Sequence, residues 1–310
     1  MSEPLLKFLV GIAILLFSTQ KLVKLAEKLS RLARISPLII GITVVALGTS
    51  LPEMVVSIVS AIKGDVGLAM GNIIGSNIIN VLMVFPVGIF MGRLRIGTTK
   101  TQRNVMILLG ATFFFFLTQS GMIPRVASGL LLIGLALAIS LWEYYLGILG
   151  RNHEDLKQTK VLKKDAWGPR TAILVPLLLL GMIAGGWWVV ESIETISLLS
   201  GISTTVLGLT LTAIATSLPE LLTTIFSQED HQEKLTVGNI IGSNLYNLLL
   251  IGGGLMLFPV ATVVSSKEWW WLASTTLGFA WILKQSSGRR PSKWIGVILL
   301  SFFLIFIFSQ

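Results

Sequence analysis

The 310-residue chain has no cysteine, which excludes disulfides, thiolate metal sites and cysteine nucleophiles. Charge is scarce too: 13% of residues, against about 25% in a water-soluble domain. Histidine occurs only at His153 and His231, in polar stretches far apart, so a histidine metal site is not expected. H-E-x-x-H, G-x-S-x-G, a P-loop and a nucleotide-binding glycine pattern are all missing. The chain therefore reads as a protein that is not an enzyme and carries no cofactor.

What is present is apolar. Hydrophobic residues make up 53%, with a mean hydropathy of +0.82, arranged in long runs. A helix needs about 20 apolar residues to cross about 30 Å of hydrocarbon. Ten such runs are predicted, at 5–24, 37–62, 67–92, 104–120, 122–149, 171–190, 203–227, 235–258, 268–283 and 293–308. No basic stretch precedes the first run and no small-residue cleavage site follows it, so it reads as a membrane helix rather than a signal peptide. The predicted fold class is an all-α integral membrane protein with ten transmembrane helices.

Net charge is +9, from 24 Lys+Arg and 15 Asp+Glu. The positive-inside rule accounts for this better than a nucleic-acid partner does. With the N-terminus outside, 20 of the 24 basic residues fall in connections on the cytoplasmic side, at 21–34, 93–103, 151–170, 234 and 284–293. Only Lys7, Lys63, Arg125 and Lys267 lie elsewhere. Both termini are expected outside a cell membrane. Trp187, Trp188 and Trp269–Trp271 fall near predicted outer ends, and Trp142, Trp167, Trp281 and Trp294 near inner ends, as interfacial anchors would.

The chain repeats itself. Gly41-Ile-Thr-Val-Val-Ala-Leu-Gly-Thr-Ser-Leu-Pro-Glu53 matches Gly208-Leu-Thr-Leu-Thr-Ala-Ile-Ala-Thr-Ser-Leu-Pro-Glu220, and Gly71-Asn-Ile-Ile-Gly-Ser-Asn-Ile-Ile-Asn80 matches Gly238-Asn-Ile-Ile-Gly-Ser-Asn-Leu-Tyr-Asn247. Both blocks share one offset, 167 residues, so one half copies the other. The expected organisation is a first five-helix half, 1–149, with motif 41–80; a cytoplasmic linker, 150–170; and a second half, 171–310, with motif 208–247. An odd number of helices per half inverts the second copy in the membrane. Inverted repeats place a substrate site near the midplane, between the halves.

Only Glu53 and Glu220, among 15 acidic residues, lie deep in predicted spans, and no Lys or Arg lies mid-span to pair with them. Glu143 is near an inner end, where it can reach the interface. An intramembrane carboxylate without a partner costs several kcal/mol, so it takes a proton or a bound cation. Ala46, Thr49, Glu53 and Ser57 share one helix face, and Thr216 and Glu220 repeat that pattern. Pro52 and Pro219 lack an N–H, which frees the carbonyls of Gly48 and Ala215. Carboxylate, hydroxyl and carbonyl oxygens suit hard cations such as Ca²⁺ and Na⁺. Asn72, Ser76 and Asn80 form a second polar stripe, mirrored by Asn239, Ser243 and Asn247. These are cation ligands or interhelical hydrogen-bonding residues, while Gly71/Gly75 and Gly238/Gly242 are G-x-x-x-G packing pairs.

These motifs, G-T-S-L-P-E at 48–53, A-T-S-L-P-E at 215–220 and G-N-I-I-G-S-N-x-x-N twice, resemble the two α-repeats of the cation/calcium exchanger superfamily, nearest its compact prokaryotic sodium/calcium exchangers. The resemblance covers essentially the whole chain. It implies an antiporter exchanging Ca²⁺ for Na⁺ by alternating access, with Ca²⁺ extruded and the bilayer as partner of a monomer. It also implies a ligand set of Glu53, Glu220, Thr49, Thr216, Ser76, Ser243, Asn80, Asn247, and Ala46 and Ala213 through their carbonyls. Some members carry Asp in place of one Asn; here Asn80 and Asn247 leave two carboxylates, which balance one Ca²⁺ or two Na⁺. A proton-coupled cation antiporter of the same fold and, more distantly, a passive cation channel are the alternatives. The short 150–170 connection has no room for the regulatory domains of larger animal exchangers.

Overall fold

The computed structural model describes residues 2–32, 46–92, 94, 96–97, 99–149, 169–229, 233–259 and 266–310. Residues 33–45, which open the first repeat motif, 150–168 with His153 and most of the expected linker, and 230–232 with His231 lie outside the described residues.

Among the described residues the chain is helical and has no strand, and each predicted run contains a helix. These are α1 (Ser2–Leu32), α2 (Ala46–Thr49 and Leu51–Ile62), α3 (Val66–Ile79, continued through Asn80–Val84 and Phe85–Phe90), α4 (Thr99–Gln119) and α5 (Arg125–Leu149). Then come α6 (Pro169–Ser200), α7 (Thr204–Leu207, Gly208–Thr212, Ala213–Thr216 and Leu218–Glu229), α8 (Glu233–Leu245, Tyr246–Ile251 and Gly252–Leu255), α9 (Ser266–Gln285) and α10 (Lys293–Ser309). Helix α6 runs ten residues past its predicted end at 190. Five runs are by themselves long and apolar enough to span a bilayer: Ser2–Leu22, Val66–Phe90, Arg125–Leu146, Ile173–Ser200 and Thr204–Gln228.

Burial separates centre from periphery. In α3, 83% of the apolar window is buried, against 22% in α5 and 33% in α1 and α6. Helices α2, α3, α7 and α8 form the middle; α1 packs along α6, α4 against α9, α5 against the end of α8 and α10 against the end of α3. Lipid-facing surfaces carry large apolar side chains such as Leu141, Leu180 and Phe308, and Trp142, Trp187, Trp188, Trp270, Trp281 and Trp294 are exposed as anchors should be. Trp269 and Trp271 depart from that reading. They turn inward, Trp269 onto Phe115 (5.7 Å) and Phe116 (5.3 Å), Trp271 onto Phe306 (5.3 Å). Three consecutive residues on a helix point in different directions, so they cannot all face lipid.

Glycine lets the two repeats touch. A Cβ on Gly75 would lie 2.5 Å from the Leu209 carbonyl oxygen and 2.8 Å from Ala213 Cβ; one on Gly208 would lie 2.6 Å from the Leu68 carbonyl oxygen. Helices α3 and α7 are therefore in backbone contact, as G-x-x-x-G pairing permits. Where α2 turns into α3, Gly64 adopts φ +83°, open to glycine at little cost. Next to it the Asp65 carboxylate accepts from Leu68 N (2.9 Å), capping α3, and from Thr204 Oγ1 (3.0 Å), which pins the turn to the start of α7.

Gly75→Ala should cost about 1–3 kcal/mol by overpacking and lower the thermal unfolding midpoint in detergent. Gly134→Ala, where an added Cβ meets nothing within 4 Å, should hold or raise it.

Candidate functional site

The T-S-L-P-E blocks each break a helix. A proline two residues after each break, Pro52 and Pro219, has no N–H to continue the preceding ladder, and the chain restarts at Leu51 and Leu218. Glu53 and Glu220 fall in the first turns of the restarted segments and are 0% exposed. In the partner helices, one π-helical turn begins at Asn80 and another, Tyr246–Ile251, contains Asn247. Such turns displace the register locally and often mark functional positions.

Across the centre the repeats bond reciprocally. Ser50 Oγ donates to Glu220 Oε1 (3.5 Å), and its counterpart Ser217 Oγ donates to Glu53 Oε1 (3.3 Å). Thr49 Oγ1 lies 3.3 Å from Asn239 Oδ1, and Thr216 Oγ1 lies 3.2 Å from Asn72 Oδ1. Each pair maps onto the other by the 167-residue offset, so the halves meet about a pseudo-twofold relation. Thr49 Oγ1 and Ser243 Oγ lie 3.2 Å apart, a further contact between the repeats. The Ala46 carbonyl lies within 3.2 Å of Thr49 Oγ1 and 3.4 Å of Ser243 Oγ, and the Ala213 carbonyl within 3.5 Å of Thr216 Oγ1.

The symmetry is incomplete: Ser243 Oγ reaches the Ala46 carbonyl while its counterpart Ser76 Oγ has no partner, and the asparagines differ too. Asn80 Nδ2 donates to Asn244 Oδ1 (3.0 Å), and Asn244 Nδ2 to the Asn77 carbonyl (3.2 Å). The equivalent bond from Asn247 to Asn77 is not made, and both polar atoms of Asn247 are buried without a partner. Acceptor atoms are left over throughout: Glu53 Oε2, Glu220 Oε2, Ser76 Oγ, Asn80 Oδ1 and Asn247 Oδ1 have no hydrogen-bond partner. Buried polar groups in folded proteins are normally paired, so a set of orphan oxygens is a departure that needs a cause.

The structure thus ties seven of the sequence-selected residues directly to one another or to a carboxylate's neighbours: Glu53, Glu220, Thr49, Thr216, Ser243, Ala46 and Ala213. Ser76, Asn80 and Asn247 are 0% exposed on α3 and α8, with no hydrogen bond to either glutamate. Asn72 is an interhelical connector: its Nδ2 reaches Ser57 Oγ (3.1 Å) and the Glu53 carbonyl (3.3 Å). Ser50, Ser217 and Asn244 were not selected from sequence. All three belong to the repeated blocks, which is the signal that marks them.

Ion pairs among the described residues join Lys7 to Glu191 (2.8 Å), Lys63 to Glu194 (2.6 Å) and Arg103 to Glu143. None involves Glu53 or Glu220, and no group of three or more His, Cys, Asp or Glu exists there. Two carboxylates, neutral oxygens from both repeats and no cationic side chain are the chemistry of a cation site.

The profile of the family described as "Sodium/calcium exchanger protein" matches residues 4–148 and 171–310. The chain belongs to that family. It is a membrane transporter that exchanges cations, not one of a catalytic family. It is 31% identical to the CaxA protein of Alkalimonas amylolytica (96% of this chain, 95% of that protein) and 26% identical to the sodium/calcium exchanger MaX1 of Methanosarcina acetivorans (96% of each). Its fold matches a structure of the sodium-calcium exchanger NCX_Mj soaked with Na⁺ and Sr²⁺, with TM-score 0.67, 26% identity, and coverage of 99% of this chain and 98% of that one.

Without added ions, Asn244→Leu should destabilise the family member described here by about 1–3 kcal/mol, because it leaves the Asn80 amide unsatisfied. Asn247→Leu removes no hydrogen bond and should be neutral or stabilising. Thermal unfolding in detergent distinguishes the two.

Proposed function

We propose that this chain is a Na⁺/Ca²⁺ antiporter that extrudes Ca²⁺, built as two inverted halves, 1–149 and 171–310, joined by the 150–170 linker. Its ligands are Glu53, Glu220, Thr49, Thr216, Ser76, Ser243, Asn80 and Asn247, with the carbonyls of Ala46 and Ala213. The observation that carries this reading is the set of orphan buried acceptors, contributed by both repeats around two carboxylates without a cationic partner. Names of relatives support it, since MaX1 is called a sodium/calcium exchanger.

Charge explains why such a site exchanges. Two carboxylates are balanced by one Ca²⁺ or two Na⁺. Empty, the centre holds two uncompensated charges in a low-dielectric setting, a state several kcal/mol above the loaded ones. Rearrangement through the occluded state is then open only to a loaded protein, so release of one ion on a face requires capture of another there before return. Ca²⁺ suits the 6–8 oxygen shell that these residues can assemble, and Na⁺ is also a hard, oxygen-seeking ion. Two protons would balance the same pair, so proton coupling is the second reading.

Radiolabelled Ca²⁺ uptake into proteoliposomes should be driven by an outward Na⁺ gradient, and a proton gradient alone should drive none. Uptake driven by protons and indifferent to Na⁺ would replace the Na⁺ reading. Glu53→Gln and Glu220→Gln should each abolish uptake while remaining folded; near-normal exchange in either purified variant would remove the site. For orientation, Lys160→Cys should react with an impermeant thiol reagent only from the cytoplasm and Ser200→Cys only from outside.

A further inference from the structure

The polar face of α7 does not stop at the carboxylate. Glu220, Thr224 and Gln228 follow one another at four-residue spacing, all 0% exposed, and Thr236 near the start of α8 is 0% exposed as well. The three uncharged side chains converge on Gly88 near the end of α3. A Cβ there would lie 3.1 Å from Gln228 Nε2, 3.3 Å from Thr224 Cγ2 and 3.3 Å from Thr236 Cγ2. Gln228 Nε2 donates to the Gly88 carbonyl (2.9 Å). Ser227 Oγ and Thr236 Oγ1 are 2.9 Å apart, which joins α7 to α8. Thr224 Oγ1 is buried with no partner.

The other repeat is less polar at the equivalent place, where one buried hydroxyl, Ser57 Oγ, donates to the Ala69 carbonyl (3.4 Å). At the 167-residue offset, Thr224, Gln228, Thr236 and Gly88 correspond to Ser57, Ala61, Ala69 and Leu255. Here the equivalent helix end, Gly252–Leu255, packs on Leu51–Ile62 and Val66–Ile79. Leu255 is 1% exposed and shares the main apolar cluster with Ala61 and Ala69. Two crossings equivalent by the repeat thus differ: one sets Thr224, Gln228 and Thr236 against a glycine, the other packs Ala61, Ala69 and Leu255 with a single buried hydroxyl, Ser57.

We propose that Gln228, bonded to the Gly88 carbonyl, with Thr224 and Thr236 packed beside it, is a polar gate on the ion's route between Glu220 and the membrane face at which α7 ends and α8 begins. Release of the Gln228–Gly88 hydrogen bond opens it. A partly dehydrated cation then meets the Thr224 hydroxyl, the Gln228 carboxamide and the Gly88 carbonyl. These neutral oxygens hold the ion less strongly than the carboxylates do, which lets it pass instead of lodging there. At the opposite face the Leu255 carbonyl accepts from Arg125 Nη2 (3.3 Å), so a guanidinium beside packed Ala61, Ala69 and Leu255 stands where Gln228 and the threonines stand here. The inference rests on the proposed ion site and, for naming the gated face cytoplasmic, on the proposed orientation.

The natural absence of cysteine makes the test direct. Thr224→Cys, which nearly preserves volume, and Thr236→Cys should react with an impermeant thiol reagent from the face at which α7 ends and α8 begins and not from the other. Leu255→Cys should not react from that face. Gln228→Leu should raise KM for Ca²⁺ at that face by about tenfold while KM at the opposite face stays within about twofold. Both cysteines inert, or reactive only from the opposite face, would overturn the gate, as would a Gln228→Leu variant whose KM shifts equally on both faces. Failure of the unmodified protein to move Ca²⁺ would refute the transport reading instead, while the sidedness of labelling would still decide the gate.

Discussion

Two carboxylates are buried at the centre of this molecule with no ion pair to a cationic side chain among the described residues, and the rest of the structure is arranged around that constraint. Glu53 and Glu220 each receive hydroxyl groups from the opposite repeat, enough to orient them and too few to use every lone pair. Hydrogen bonds from neutral donors solvate a carboxylate without cancelling its charge. In the proposed function the remaining stabilisation comes from an ion that enters and leaves. A site satisfied by Lys or Arg would be more stable and would have no place for a cargo.

Holding such a centre requires close backbones. Gly71 and Gly75 bring α3 against α7, and Pro52 and Pro219 break α2 and α7 where the glutamates must sit. The peripheral helices have a plainer role. They bury the outer faces of the central four, present leucine, phenylalanine and tryptophan to lipid, and keep their charges in ion pairs near their ends, such as Lys63–Glu194. Apolar side chains facing lipid gain nothing from further burial, so packing and hydrogen bonding set the specificity of the centre.

A duplicated sequence folds into an almost symmetric centre, and the departures carry the information. Asn80 is engaged by Asn244 while Asn247 is left unpartnered, although the two asparagines are equivalent in the repeat. The Gln228–Gly88 bond in one repeat and the Arg125–Leu255 bond at the equivalent helix end are another departure. A transporter that opens in turn to two sides needs two routes of related geometry. Different chemistry along them lets entry and exit differ in affinity even though the site itself is shared.

The sequence by itself determined a great deal. Ten apolar runs, the clustering of basic residues in alternate connections, the 167-residue repeat and the two isolated glutamates follow from local composition and spacing, because lipid forces each span to satisfy its own backbone. Span limits were less legible: α6 continues to Ser200 because Glu191 and Glu194 find lysines on α1 and after α2, pairings no window of composition contains. Helical spacing marked Thr49, Glu53 and Asn80, all of them buried, and did not mark Ser50 and Ser217. The bonds of those two serines to Glu220 and Glu53 run between the repeats, which spacing along a single helix cannot represent. Which asparagine is occupied, which tryptophan turns inward and which crossing is more polar depended on contacts between residues more than 100 positions apart. Only the tertiary structure decided those, because a hydrogen bond or a packed methyl group is defined by the partner that arrives, and identical motifs in the two halves meet different partners.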